Sequence, residues 1–170
     1  PLARVLGGYQ TDQFPNVLAL EYLQHGTLKD CGTLPWQRTA ALFATVCQGL
    51  TWLARHDYVH CDLKPENILL HGDAAKICDL GNAQHRGSRE PPLTTVYYRA
   101  PETILTLPPY TPAVDVWAVG CCIYETVTGQ VLFEVDNSAS EDSASEDSAS
   151  EDSASEESRH WGSSSSGSAC

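Results

Sequence analysis

The chain has 170 residues, enough for one domain, with 22 acidic against 10 basic side chains and a formal net charge of −12. The charge is uneven: residues 1–137 hold 14 acids and 9 Lys plus Arg, residues 138–170 hold 8 acids and one Arg. Such a balance argues against direct nucleic-acid binding, which requires a basic face, and no unbroken apolar run of about 18 residues offers a membrane span.

The seven cysteines, at 31, 47, 61, 78, 121, 122 and 170, form no Cys-x-x-Cys pair. Most sit in apolar runs, where cysteine behaves as a small hydrophobe, so reduced intracellular thiols are expected. No signal-peptide pattern is present, and with no Met anywhere the sequence reads as having lost its original N-terminus.

Short apolar runs within residues 1–8 and 17–23, separated by Asp12, Pro15 and Asn16, predict an antiparallel strand pair. Thr33, Leu34 and Pro35 predict a helix start, with a capping hydroxyl and Pro in the first turn. Phe43, Val46, Cys47, Leu50, Leu53 and Ala54 then keep helical spacing to about Arg55, as a core stripe.

Next comes His60-Cys61-Asp62-Leu63-Lys64-Pro65-Glu66-Asn67. Asp62 can accept the proton of an attacking hydroxyl, Lys64 can reach a transferring phosphate, and Asn67 can offer its side-chain oxygen to a divalent metal. Phosphoryl transfer uses such a group because its catalysis is mostly positioning and charge neutralisation. His60, in an apolar context, reads as a structural residue that packs and hydrogen-bonds the loop. Ile68-Leu69-Leu70, the turn at Gly72-Asp73 and the apolar run 74–78 predict two short strands with Asp79 at the exit of the second. A carboxylate there can hold Mg²⁺ between phosphates, since hard cations prefer oxygen ligands.

Residues 79–102, with Gly81, Gly87, Pro91 and Pro92, predict a turn-rich, mobile loop ending in Ala100-Pro101-Glu102. Thr111-Pro112 opens a helix that is apolar almost all round from Val114 to Val127, with Asp115 near its start, which predicts burial on every side. From Ser138 the texture changes to three Ser-Ala-Ser-Glu-Asp repeats, one Ser-Ala-Ser-Glu-Glu and a Ser/Gly-rich end. Low hydrophobicity and like charge predict disorder there. Ser138, Ser143, Ser148 and Ser153 each have Glu three residues later, which suits an acidophilic kinase as modifying enzyme; an unmodified solvating tail is the equal alternative.

In this order, the His60–Asn67 loop, Asp79-Leu80-Gly81, Ala100-Pro101-Glu102 and the helix carrying Asp115 resemble the eukaryotic protein-kinase superfamily. Lys64-Pro65-Glu66-Asn67 resembles the serine/threonine type. Residues 97–102 and 128–133 resemble the CMGC group, residues 60–70 the dual-specificity tyrosine-regulated kinases, and Asp-Leu-Gly-Asn-Ala at 79–83 the SR-protein kinases. The resemblance implies an α+β protein-kinase-like fold. A small-lobe remnant and hinge would occupy 1–23, a mostly helical partial large lobe 24–137, and a disordered acidic tail 138–170. It implies Asp62 as proton acceptor, Lys64 on the γ-phosphate of ATP, and Asn67 and Asp79 as Mg²⁺ ligands. Leu20 would be the gatekeeper, Glu21 to Leu23 the hinge facing the adenine edge, and Leu69 the floor of the adenine pocket. Asp115 would anchor the loop backbone from below.

Some positions depart from the pattern. Cys61 replaces the usual Arg that reads a phosphorylated activation segment, Pro92 stands at the activating tyrosine, Val96 at a common CMGC Arg, and Leu80 at Phe. No Gly-rich loop, strand lysine or αC glutamate is found, and the usual arginine partner of Glu102 is missing, with Arg159 a poor substitute. A bare face of four or five apolar side chains on the central helix would forfeit around 10 kcal/mol, so instability, self-association or a bound partner is expected. The reading is a protein serine/threonine kinase fragment that transfers the ATP γ-phosphoryl group to Ser/Thr hydroxyls of proteins. The alternative is a catalytically inactive kinase-like binding module, since the Gly-rich loop and strand lysine are absent; a third reading makes the tail an interaction segment.

Overall fold

A computed structural model describes residues 1–134 apart from 12, 14 and 15. The chain divides into two units, Pro1–Val135 and Asp136–Cys170; the acidic repeat and its serines lie outside the described residues.

The hairpin that precedes Asp79 forms as its sequence dictates. β4 (Ile68–His71) pairs with β5 (Ala74–Ile77) from Ile68↔Ile77 to His71↔Ala74. Its two-residue loop starts with Gly72 at φ 62°, a conformation that favours glycine. Both hairpin edges are covered. Leu28 N donates to Ile68 O and Leu70 N to Gly26 O on one side, while Ala3 N donates to Ile77 O and Ile77 N to Pro1 O on the other. The N-terminal apolar run therefore splits: residues 1–3 run along β5, and only β1 (Val5–Tyr9) pairs with β2 (Val17–Leu20), antiparallel.

α1 (Trp36–Arg55) buries Thr39, Leu42, Phe43, Val46, Gly49 and Leu53 on one stripe. This corrects the expected stripe at Cys47, which is exposed; Leu50 and Ala54 are partly buried, Leu50 packing against the core. Gly49 permits close packing, since a Cβ there would lie 2.9 Å from Ile77 Cδ1 and 3.1 Å from Pro1 O. The expected Thr33 cap is also corrected. Pro35 occupies the cap position with no side-chain cap bond, because the chain before it is drawn to the end of α3, where Leu34 N donates to Thr126 O at 2.9 Å.

β3 (Tyr58–Val59) pairs with β6 (Gln84–His85), so the turn-rich stretch after Asp79 carries an ordered strand beside the His60 loop. α2 (Pro101–Ile104) follows, and α3 (Ala113–Thr128) ends at Gly129, φ 76°, whose N–H donates to Glu125 O at 2.7 Å. α3 buries Val114, Asp115, Ala118, Val119, Cys121, Cys122, Glu125 and Thr126 against α1 and the loops around it. Burial on every side does not occur. Val116 is 66% exposed, and Tyr124 and Val127 are exposed beside it, because nothing among the described residues covers that face.

Candidate functional site

Asp115 lies at the base of the site, 3% exposed in the first turn of α3. Its Oδ2 accepts from His60 N at 2.8 Å and its Oδ1 from Cys61 N at 2.9 Å. Burial pushes its carboxyl above the usual range, with the two N–H donors pulling it back. The second of these bonds is made by Cys61 in the left-handed region, φ 68°. Burial, with Asp115 beside it, pushes the Cys61 thiol up to about 12, which disfavours the thiolate.

His60 is fully buried and both ring nitrogens are committed. Asp62 N donates to Nδ1 at 3.2 Å, so the proton sits on Nε2, which donates to Cys78 O at 3.0 Å. A ring so engaged is a strut between the Asp62 loop and the approach to Asp79.

Four donors converge on the Asp62 carboxylate. Thr95 donates to Oδ1 through its N–H at 2.9 Å and its hydroxyl at 2.7 Å. Lys64 Nζ lies 3.1 Å from Oδ2, and Asn82 Nδ2 is 3.4 Å from the same oxygen. Lys64 also donates to Thr95 Oγ1 at 3.0 Å. Desolvation pushes the Asp62 carboxyl up, but the Thr95 donors and the Lys64 ammonium outweigh it and hold the group below the usual carboxylate value. The result is an ionised acceptor fixed in orientation.

Asn67 is buried, and its Nδ2 donates to Asp62 O at 2.8 Å. The amide is thereby oriented, and no donor among the described residues reaches its Oδ1. Cys78 N donates to Asn67 O at 3.0 Å, which sets the residue before Asp79 beside the loop. Asp79, φ 60° and exposed, accepts among the described residues only from Gly81 N, at 3.2 Å. These free oxygens are the hard donors that a Mg²⁺ ion takes. No cluster of three or more His, Cys, Asp or Glu exists among the described residues, so phosphate oxygens and water would complete its shell.

The residues expected at an adenine site lie along one path. Glu21 N donates to Arg4 O at 2.9 Å, and Glu21 Oε1 accepts from Arg4 N and Lys76 Nζ, each at 2.7 Å. Lys76 is the cross-strand partner of Leu69, and Leu69 bridges to Thr27 just beyond the hinge. Leu23 is buried and its backbone makes no hydrogen bond among the described residues. Leu20, paired with Val5, is exposed.

Sequence reasoning missed Thr95 and Asn82. Asn82 stood inside a quoted motif, and Thr95 lies seven residues before Glu102. It also missed Glu125, although an acid inside an otherwise apolar helix signals a buried charge in need of partners. For Glu102 no cation partner occurs among the described residues.

The structure thus brings the Asp62 carboxylate and Lys64 together on one loop, with the Asn67 and Asp79 side-chain oxygens on that loop and the one adjoining it. Residues 4–169 match the family described as Protein kinase domain, and the chain belongs to that family. It is 36% identical over 135 residues to cell division control protein 2 homolog 3 of Trypanosoma brucei brucei, a span covering 73% of this chain and 43% of that protein. To serine/threonine-protein kinase prp4 of Schizosaccharomyces pombe it is 44% identical over 88 residues, 49% of this chain and 18% of the relative. To mitogen-activated protein kinase MKC1 of Candida albicans it is 35% identical over 138 residues, 72% and 27% respectively. These relatives fall in the CMGC group, as the motifs at 97–102 and 128–133 imply. The matched span is less than half the length of each of them. Among the described residues no helix is long and apolar enough to cross a membrane.

Proposed function

We propose that this chain carries the proton-accepting and metal-binding part of a protein serine/threonine kinase. Asp62 accepts the proton of a substrate Ser or Thr hydroxyl as that oxygen bonds to the γ-phosphorus of ATP and the bond to the β–γ bridging oxygen breaks, releasing ADP. Lys64 neutralises the transferring group. Asn67 Oδ1 and the Asp79 carboxylate would hold Mg²⁺, which when bound screens charge on the phosphates. Leu20, Glu21, Leu23 and Leu69 would contact the adenine, with the unbonded Leu23 backbone as its polar partner. The observation that carries this reading is the convergence of Thr95 and Lys64 on one Asp62 carboxylate, while Asn67 Nδ2 donates to the backbone carbonyl of the same residue at 2.8 Å.

The partner is a protein with a Ser/Thr acceptor. The acidity of the chain speaks against direct nucleic-acid binding, and six free cysteines among the described residues support a reducing, intracellular setting. Ser138, Ser143, Ser148 and Ser153, each with Glu three residues later, suit an acidophilic kinase, with an unmodified solvating tail as the equal alternative. The test is a thermal-shift titration with Mg·ATP together with a phosphotransfer assay. The expected result is stabilisation by the nucleotide and transfer abolished by Asp62→Asn. No shift at millimolar ATP and no transfer would overturn it.

A further inference from the structure

We infer that Lys29 is a positioning residue for this site, acting on Asp62 through Glu125, Tyr98 and Thr95; the inference rests on the role of Asp62 proposed above. Glu125 lies on the buried side of α3, 9% exposed, where a carboxylate persists only with partners. It has two. Lys29 Nζ lies 2.6 Å from Oε1, and the Tyr98 hydroxyl donates to Oε2 at 2.6 Å. One carboxylate thus joins three separate elements: the turn Lys29–Cys31, α3, and the turn Val96–Tyr98.

Each end of this chain of contacts is anchored. Leu28 is buried and its N–H donates to Ile68 O at 2.8 Å, which fixes the base of Lys29 beside β4. At the other end Tyr98 N donates to Thr95 O at 3.1 Å, and Thr95 holds Asp62 Oδ1 through two bonds. The Glu125 hydrogen bond keeps Lys29 charged, and burial, then Glu125, keeps the Tyr98 phenol protonated, so the arrangement stands at ordinary pH. Removing the ammonium leaves Glu125 buried with one partner. The carboxylate then draws in water, which loosens its hold on Tyr98 and on the Thr95 amide behind it.

The test is residue-resolved amide hydrogen exchange on the whole 170-residue chain, with Lys29→Met, Lys29→Arg and Tyr98→Phe. Lys29→Met and Tyr98→Phe are expected to speed exchange at the Thr95 amide about tenfold, and Lys29→Arg to restore it. The amides of Ala118 and Val119 should stay within about twofold of wild type. In phosphotransfer, kcat should fall about tenfold in Lys29→Met with KM for ATP unchanged. Unchanged exchange at Thr95, or equal acceleration at every amide, would overturn the inference. If Lys29→Met fails to fold, Tyr98→Phe decides alone, since it removes only the hydroxyl. A wild-type chain that transfers no phosphate yet shows the Thr95 response defeats the proposed reaction and leaves the coupling to Asp62 in place.

Discussion

Replacing Asp115 by Ala removes the acceptor of two buried backbone donors at once, His60 N and Cys61 N. Each buried N–H left without a partner costs about 1–3 kcal/mol, so the pair costs roughly 4 kcal/mol. That is a large share of the roughly 5–15 kcal/mol that holds a domain together. Asp115→Asn keeps one acceptor and turns an NH₂ group toward the other donor, so a loss of about half is expected. With a urea slope near 2 kcal/mol per molar, the midpoint should fall by about 2 M for Ala and about 1 M for Asn. Fluorescence of the four tryptophans follows such a titration. Exchange of the His60 and Cys61 amides should accelerate in step. Midpoints of both variants within about 0.5 M of wild type, with those amides still protected, would refute the view that Asp115 supports the loop.

Other substitutions test other joints. Asp62 has a lowered carboxyl in the folded chain, so its ionised form adds stability above the unfolded value near 3.9, and this is lost as pH falls through the folded value. Thr95→Val removes one donor, so the acid limb of the stability profile should shift to higher pH; an unchanged limb would show that the hydroxyl does not hold the carboxylate. Gly49→Ala places a methyl against Ile77 Cδ1 and Pro1 O and should destabilise by about 1–2 kcal/mol despite the better helix propensity, read by denaturant titration. Val116→Glu, on the uncovered face of α3, should change stability by less than about 0.5 kcal/mol, and a larger loss in urea would mean that this face is covered in solution.

Local pattern made much of this chain legible. The Gly72 turn between two apolar runs gave the hairpin before Asp79, because a two-residue loop and a period of two leave little choice of register. The loop from His60 to Asn67 could be read as one cluster because its side chains lie within eight residues, and His60 proved the expected strut. Asp115 beneath that loop also matched, although 54 residues separate it from Cys61, because the family resemblance supplied the pairing.

Tertiary structure alone decided the rest. Thr95 lies 33 residues from Asp62 and Lys29 lies 96 from Glu125, and no local period or turn signal encodes which distant side chains meet. Such pairings follow from the path of the chain around α1 and α3, where a buried carboxylate takes whichever donors that path delivers. The uncovered side of α3 has the same origin: composition marks a side chain as apolar, but only the neighbouring elements determine whether water reaches it.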